Sequence, residues 1–234
     1  MLWRGHRALA RFACSNFFPK DVVEKVVEYS VYPDKRDVWK KCASRYRGKK
    51  AWMDPDCPPP PPVHHTVKWS FRAVEYYSRL ARKDLLRNDI ESFVKHMGIA
   101  LHFVGDAIIE PYVIDWKDME GEWEYHAKAD PLSDYVASMK TPPEEDNWYR
   151  WKNKVYMLIP IIFPEDYMYA RLDEIRSKFQ RTMDYIWAGK QSVSFAIGLC
   201  HVIKEGWFRN CSFVGPLSFL LGFDPCVWFS FKHS

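Results

Sequence analysis

The stretch that decides the fold is MGIALHFVGDAIIEPYVIDW, residues 97 to 116. Together with the residues before it, Ile90, Phe93, Val94, Met97, Leu101 and Val104 recur at helical spacing, so Asn88 to about Ile109 reads as one apolar helix. Asn88, with Glu91 three residues on, makes a capping-box-like entry. His102 and Asp106 stand in this helix at positions i and i+4, which puts both side chains on one face. A pair at that spacing is most often only hydrogen-bonded. An imidazole and a carboxylate converging on one point are also how a helix presents a cation site.

Outward from this segment the periodicity stays helical. Residues 66 to 83 carry Trp69, Phe71, Ala73, Val74, Tyr77 and Leu80 in stripes, and pair with the first helix as an antiparallel hairpin joined near Lys83 to Arg87. Residues 5 to 15 and 19 to 30 read as helices, the second entered by Pro19 and interrupted at Tyr32, Pro33 and Asp34. The basic run 35 to 50 continues as helix before a break, and CPPPPP at 57 to 62 requires an extended polyproline-type path. Residues 120 to 138 read as a helix broken at Pro131, and 165 to 188 as a long last helix stopped by Gly189. No stretch alternates strictly enough to demand a sheet. The expected fold class is all-α, a multi-helix bundle over residues 1–190, followed by an apolar extension over 191–234. Gly215, Pro216, Gly222 and Pro225 interrupt that extension too often for a bilayer span, so it packs back on the bundle or forms a contact surface for a membrane or a protein.

The 234 residues, 47% apolar and 17% aromatic, support a single sizeable core. The net charge is only +4, but basic residues from Arg4 to Lys50 crowd the amino-terminal end. Such a face is usually just solvated, and it also suits an anion such as a phosphate, a nucleic-acid backbone or a lipid headgroup. The six cysteines show no CxxC pair and no regular spacing, which argues against a zinc ribbon or a small disulfide scaffold. MLWRGHRALARF lacks the apolar run of a signal peptide, so the expected location is cytoplasmic, or secreted if the true start lies elsewhere and supplies a leader. No GxSxG, Walker loop, GxGxxG or HExxH occurs, which weakens serine-hydrolase, nucleotide-triphosphatase and dinucleotide readings.

The spacing of His102 and Asp106 recurs at His126 and Asp130 in YHAKAD. With His6, His64 and His65, five of the eight histidines stand in settings where a metal ligand is plausible. His96, His201 and His233 lack partners at useful spacing and read as packed or surface residues. Trp116, Trp123, Trp148 and Trp151 read as core and rim, with stacking on a base or headgroup the minority use.

GIALHFVGDAIIEPY resembles the G-x-x-L-H-Y-x-G-D-x-x-x-P-x-H helix of the zinc-dependent phospholipase C family, which shares its all-helical fold with the zinc-dependent single-strand nucleases. An early histidine near an amino-terminal Trp (Trp3, His6), Asp34 in VYPD, then His64 or His65, then His102 with Asp106, then His126 with Asp130 keep the family's order over roughly residues 3 to 190. The resemblance implies a cluster of one to three zinc ions. Asp34, one of His64 and His65, His102 and Asp106 would hold the first, with Asp106 bridging to an ion at His6 and the remaining ion at His126 and Asp130. It further implies hydrolysis of a phosphodiester, in a lipid headgroup or a nucleic acid, with Asp34 as an alternative general base. A non-catalytic descendant of the fold, acting by binding, is the second expectation. Three departures bear on these ions, the first being Asp130 where the family has Glu. The P-x-H histidine is replaced, since Tyr112 and Val113 follow Pro111, so Glu110 or Asp115 would have to substitute. In the family the free amine of a terminal Trp binds metal, whereas here Met1 and Leu2 precede Trp3.

Overall fold

A computed structural model describes residues 1–42, 54–58, 67–109, 119–148 and 164–206. The described residues form helices and no strand: α1 (Trp3–Cys14), α2 (Lys20–Tyr29), a 3-10 turn (Tyr32–Asp34), α3 (Arg36–Cys42), α4 (Val67–Leu86), α5 (Ile90–Ile108), α6 (Met119–Ser138), α7 (Pro164–Thr182), α8 (Tyr185–His201) and a π-helical turn (Val202–Gly206). The fold class is all-α. No described helix is long and apolar enough to cross a membrane.

The architecture follows from α5, whose residues from His96 to Ile108 are all buried. It forms the expected hairpin with α4 and is enclosed further by α1, α2, α7 and α8. Its start differs by one residue from the sequence reading. Asn88 takes a left-handed conformation (φ 59°) to reverse the chain, which leaves Asp89 as the cap, accepting from the Ser92 amide at 3.1 Å.

Gly98 fixes how close α2 lies. A Cβ there would meet Tyr29 Cβ at 2.5 Å, the Val26 carbonyl oxygen at 2.7 Å and Tyr29 C at 2.8 Å. Backbone cannot yield as a flexible side chain does, so Gly98→Ala is expected to push α2 away and lower stability by about 2 kcal/mol. Urea denaturation of wild type and variant measures this, and an unchanged midpoint would refute the close approach.

The later helices differ from expectation in two places. Pro131 does not break α6, which runs through it. Its missing N–H frees the Ala127 carbonyl, and the Tyr185 hydroxyl from α8 lies 3.5 Å from that oxygen. Gly189 does not stop a helix either. The chain turns at Met183 (φ 51°), Asp184 caps α8 by accepting from the Trp187 amide at 2.9 Å, and Gly189 lies within α8. It is glycine because a Cβ would meet Tyr135 Cδ1 at 2.5 Å, where α8 crosses α6. Residues 191–201, the start of the segment expected to pack back on the bundle or form a contact surface, lie within α8, with Val193, Phe195, Ala196 and Leu199 buried. Arg82 of α4 donates to the Val202 carbonyl at 3.1 Å, satisfying an acceptor that the helix end leaves over. Residues 207–234, including the broken apolar tail, lie outside the described residues.

The cysteines, whose spacing argues against a disulfide scaffold, form one bond among the described residues: Cys42 at the end of α3 is bonded to Cys57 in the turn 54–58. That turn is ordered by Asp54, whose carboxylate accepts from the Asp56 and Cys57 amides at 2.8 and 3.0 Å. It is docked onto α5 by His96, whose Nε2 lies 3.1 Å from the Pro55 carbonyl while Nδ1 lies 2.5 Å from Asp84. The helical pattern around His96 gives no sign of this buried pair, because Asp84 belongs to the neighbouring helix.

Candidate metal centre

Three elements meet where HFVGD faces the amino-terminal end. α5 contributes His102 and Asp106, the first turn of α1 contributes His6, and the 3-10 turn contributes Asp34. The start of α1 is anchored to α6 by the Leu2 amide, which donates to Ser133 Oγ at 2.8 Å. Gly5 permits this seat, since a Cβ there would come within 2.9 Å of Ser133 Cα.

The ligating atoms of His6, His102 and Asp106 lie within 4.8 Å of one another. His102 Nε2 is 3.1 Å from Asp106 Oδ2, and His6 Nε2 is 3.4 Å from Asp106 Oδ1. The two imidazoles stack, centroids 4.1 Å apart. His102 Nδ1 lies 3.0 Å from the Ser30 carbonyl at the end of α2. A carbonyl only accepts, so Nδ1 carries a proton and Nε2 is the nitrogen turned to the centre. Asp34 Oδ1 stands 3.7 Å from the same Nε2. The amine of Met1 reaches Asp106 Oδ1 at 2.6 Å. Thus the amine at the centre belongs to Met1, while Trp3 is half exposed.

His6 and His102 are fully buried and Asp106 is 2% exposed, whereas the Asp34 side chain keeps 21% of its surface. Burial, the His102 charge and the Met1 ammonium together push the His6 pKa down to about 4, so its imidazole is neutral at physiological pH. For His102, burial pulls the other way, but Asp106 and Asp34 outweigh it and raise its pKa. Burial likewise works against the Asp106 carboxylate and is overcome by the Met1 ammonium, His102 and His6, which hold it well below the usual range.

These features suit a cation. Neither nitrogen of the buried His6 ring makes a hydrogen bond among the described residues, a state that costs about 1–3 kcal/mol when nothing compensates it. A neutral imidazole, a second imidazole with its far nitrogen tied to a carbonyl, and an ionised carboxylate between them are the donor types zinc takes. Gly105 belongs to the same design, because a Cβ there would lie 3.0 Å from His6 Cε1 and Nδ1. Gly105→Ala is expected to tilt the His6 ring by a few tenths of an ångström and weaken metal affinity by about 10-fold. Its thermal midpoint without metal should stay near wild type. Titration with a competing chromophoric chelator reads the affinity, and equal affinity would show that His6 is not a ligand.

Other expected ligands are placed elsewhere or lie outside the described residues. Asp130 on α6 is half exposed and paired with Arg4 at 3.3 Å. The His126 side chain, His64, His65, Glu110 and Asp115 fall outside the described residues. His201 pairs with Glu145 at 3.1 Å, and Trp148 is buried against Phe195 with ring centroids 5.2 Å apart. Two members of the centre had no sequence signal, the Met1 amine and the Ser30 carbonyl, because backbone groups carry no residue identity. Compared with family models, curated proteins and solved structures, the chain matches none.

Proposed function

We propose that this chain is a zinc-dependent phosphoesterase of the phospholipase C-like helical type, cleaving a phosphodiester of a lipid headgroup or a nucleic acid. The observation that carries the reading is the buried convergence of His6, His102 and Asp106 with Asp34 at its exposed edge. Zinc bound there would supply Lewis-acid polarisation of the phosphoryl oxygen and lower the pKa of water toward neutrality. The chain's own residues do the rest. His6 offers a neutral ring, and the Ser30 carbonyl holds the His102 tautomer. Asp106 places its two oxygens toward different imidazoles, and Asp34, the member open to solvent, is positioned to orient water and take its proton. Metal uptake must displace the proton that Asp106 and Asp34 favour on His102, so affinity falls with falling pH.

A second reading is favoured by burial. His6, His102 and Asp106 are 0–2% exposed, and Asp130 is engaged with Arg4. A closed centre of that kind serves structure, and the chain would then be a non-catalytic descendant that acts by binding. A cytoplasmic location remains the sequence expectation, but the Cys42–Cys57 bond favours an oxidising compartment.

The test is elemental analysis of tag-free protein after dialysis against metal-free buffer. Hydrolysis of bis(4-nitrophenyl) phosphate, phosphatidylcholine vesicles and single-stranded DNA follows, with and without chelator. Bound zinc with chelator-sensitive hydrolysis supports the phosphoesterase. Stoichiometric zinc without turnover supports the structural reading. A folded chain that takes up no added zinc overturns the phosphoesterase and leaves a metal-free binding protein.

A further inference from the structure

A second pair of sulfur atoms meets at the opposite end of α1 from the metal centre. Cys14, the last residue of α1, and Cys200, in the last turn of α8, are 186 positions apart in sequence, yet their Sγ atoms lie 3.6 Å apart. Both are fully buried. Cys14 follows His6 by eight positions, about 12 Å along a helix, so the pair is separate from the metal centre. Sulfur atoms in contact need only close to about 2.05 Å to bond, and α1 and α8 are already packed together. The chain also carries a disulfide at Cys42–Cys57, so any compartment that makes that bond supplies the oxidant for another.

We propose that Cys14 and Cys200 form a second disulfide, made as the chain folds, which staples α1 onto α8. The oxidant is a low-molecular-weight disulfide such as oxidised glutathione. One cysteine thiolate attacks it, forming a mixed disulfide and releasing one glutathione thiolate. The second cysteine thiolate attacks the protein-side sulfur of that mixed disulfide and releases the other. The two protein thiols lose two protons and two electrons in all, and the glutathione disulfide gains them as two thiols. Exchange belongs to folding because the finished structure shields both sulfurs, and burial together with contact to Cys14 raises the Cys200 pKa well above the ordinary thiol value. The bond closes a loop long enough to restrain the unfolded chain strongly. It also holds the helix whose other end carries Met1 and His6 into the centre.

The full chain refolded in reduced and oxidised glutathione, alkylated in denaturant and digested without reduction, decides the matter. The expected product is a Cys14 peptide joined to a Cys200 peptide. Alkylated Cys14 and Cys200 in molecules whose Cys42–Cys57 link is closed would overturn the proposal, as would a link from either to Cys211 or Cys226. A second measurement uses Cys42→Ser with Cys57→Ser. Its thermal midpoint should fall when reductant is added during refolding, and the fall should vanish when Cys200→Ala is introduced. A midpoint indifferent to reductant overturns the staple. If that variant fails to fold, the peptide map of the wild type stands as the deciding result.

Discussion

Asp106→Asn is expected to lower metal affinity by more than about 100-fold, the upper end of what losing a merely supporting residue costs. It should also destabilise the metal-free protein by about 3–5 kcal/mol. Both effects come from one atom pair. Oδ1 faces the Met1 amine and His6 Nε2, and Oδ2 faces His102 Nε2. An amide keeps the shape but loses the charge, and its NH2 group presents a donor where a donor already stands. The Met1 ammonium then lies buried without its counter-charge, and His102 keeps only the more distant Asp34 carboxylate. His96→Ala separates the two consequences. It breaks the buried pair with Asp84 and the contact to the Pro55 carbonyl, so it should cost stability of comparable size, yet leave zinc stoichiometry unchanged. Zinc content with urea midpoints for the three proteins makes the check. Zinc retained at wild-type affinity in Asp106→Asn would remove HFVGD from the metal centre.

Acidification should destabilise the metal-free protein between pH 6.5 and about 4, and His6 should account for one proton of that dependence. The native pKa of His6 is depressed to about 4 by burial and by neighbouring positive charge, while the unfolded chain takes up a proton near 6.5. Within that window the unfolded state binds the proton and the folded state refuses it, so stability falls as pH falls. The full loss approaches about 3 kcal/mol, at about 1.4 kcal/mol per pH unit. His102 works in the other direction. Its raised pKa contributes stability that is fully present below 6.5 and lost as pH rises through the folded value, so it adds no slope in the window. Asp106, depressed below 3.8, contributes stability that is lost only as pH falls further, through its folded pKa. Urea denaturation in chelator at pH 7 and pH 4.5 measures the effect. His6→Gln should remove about one proton from the slope, and an identical slope would mean that His6 titrates normally.

Much of the fold is legible from patterning because helices are local. The apolar periodicity of residues 90–108 announces a core helix, and His102 with Asp106 at i and i+4 can be placed on one face without coordinates. The misreadings share one cause. Pro131 and Gly189 were expected to interrupt helices through local preference, but both are settled by a neighbour: Tyr185 lies near the carbonyl that Pro131 leaves over, and Tyr135 lies where a Gly189 side chain would go. The one-residue slip at Asp89 arose because Asn88 and Asp89 are both good caps, and the choice depends on which of them reverses the chain.

Sequence by itself determined that this chain is helical, that its central helix is buried, and that an imidazole and a carboxylate share one face of it. Those are properties of residue type and short spacing, and no distant contact is needed to express them. Only the tertiary structure decided that His6 stacks on His102, that Met1 reaches Asp106 and that Asp130 turns to Arg4. It also decided that Cys14 meets Cys200. These pairings join residues about a hundred or more positions apart in the chain, where the outcome depends on how closely helices approach. That approach is set by Gly5, Gly98, Gly105 and Gly189, each of them small where another element comes near, a fact visible only once the helices are packed.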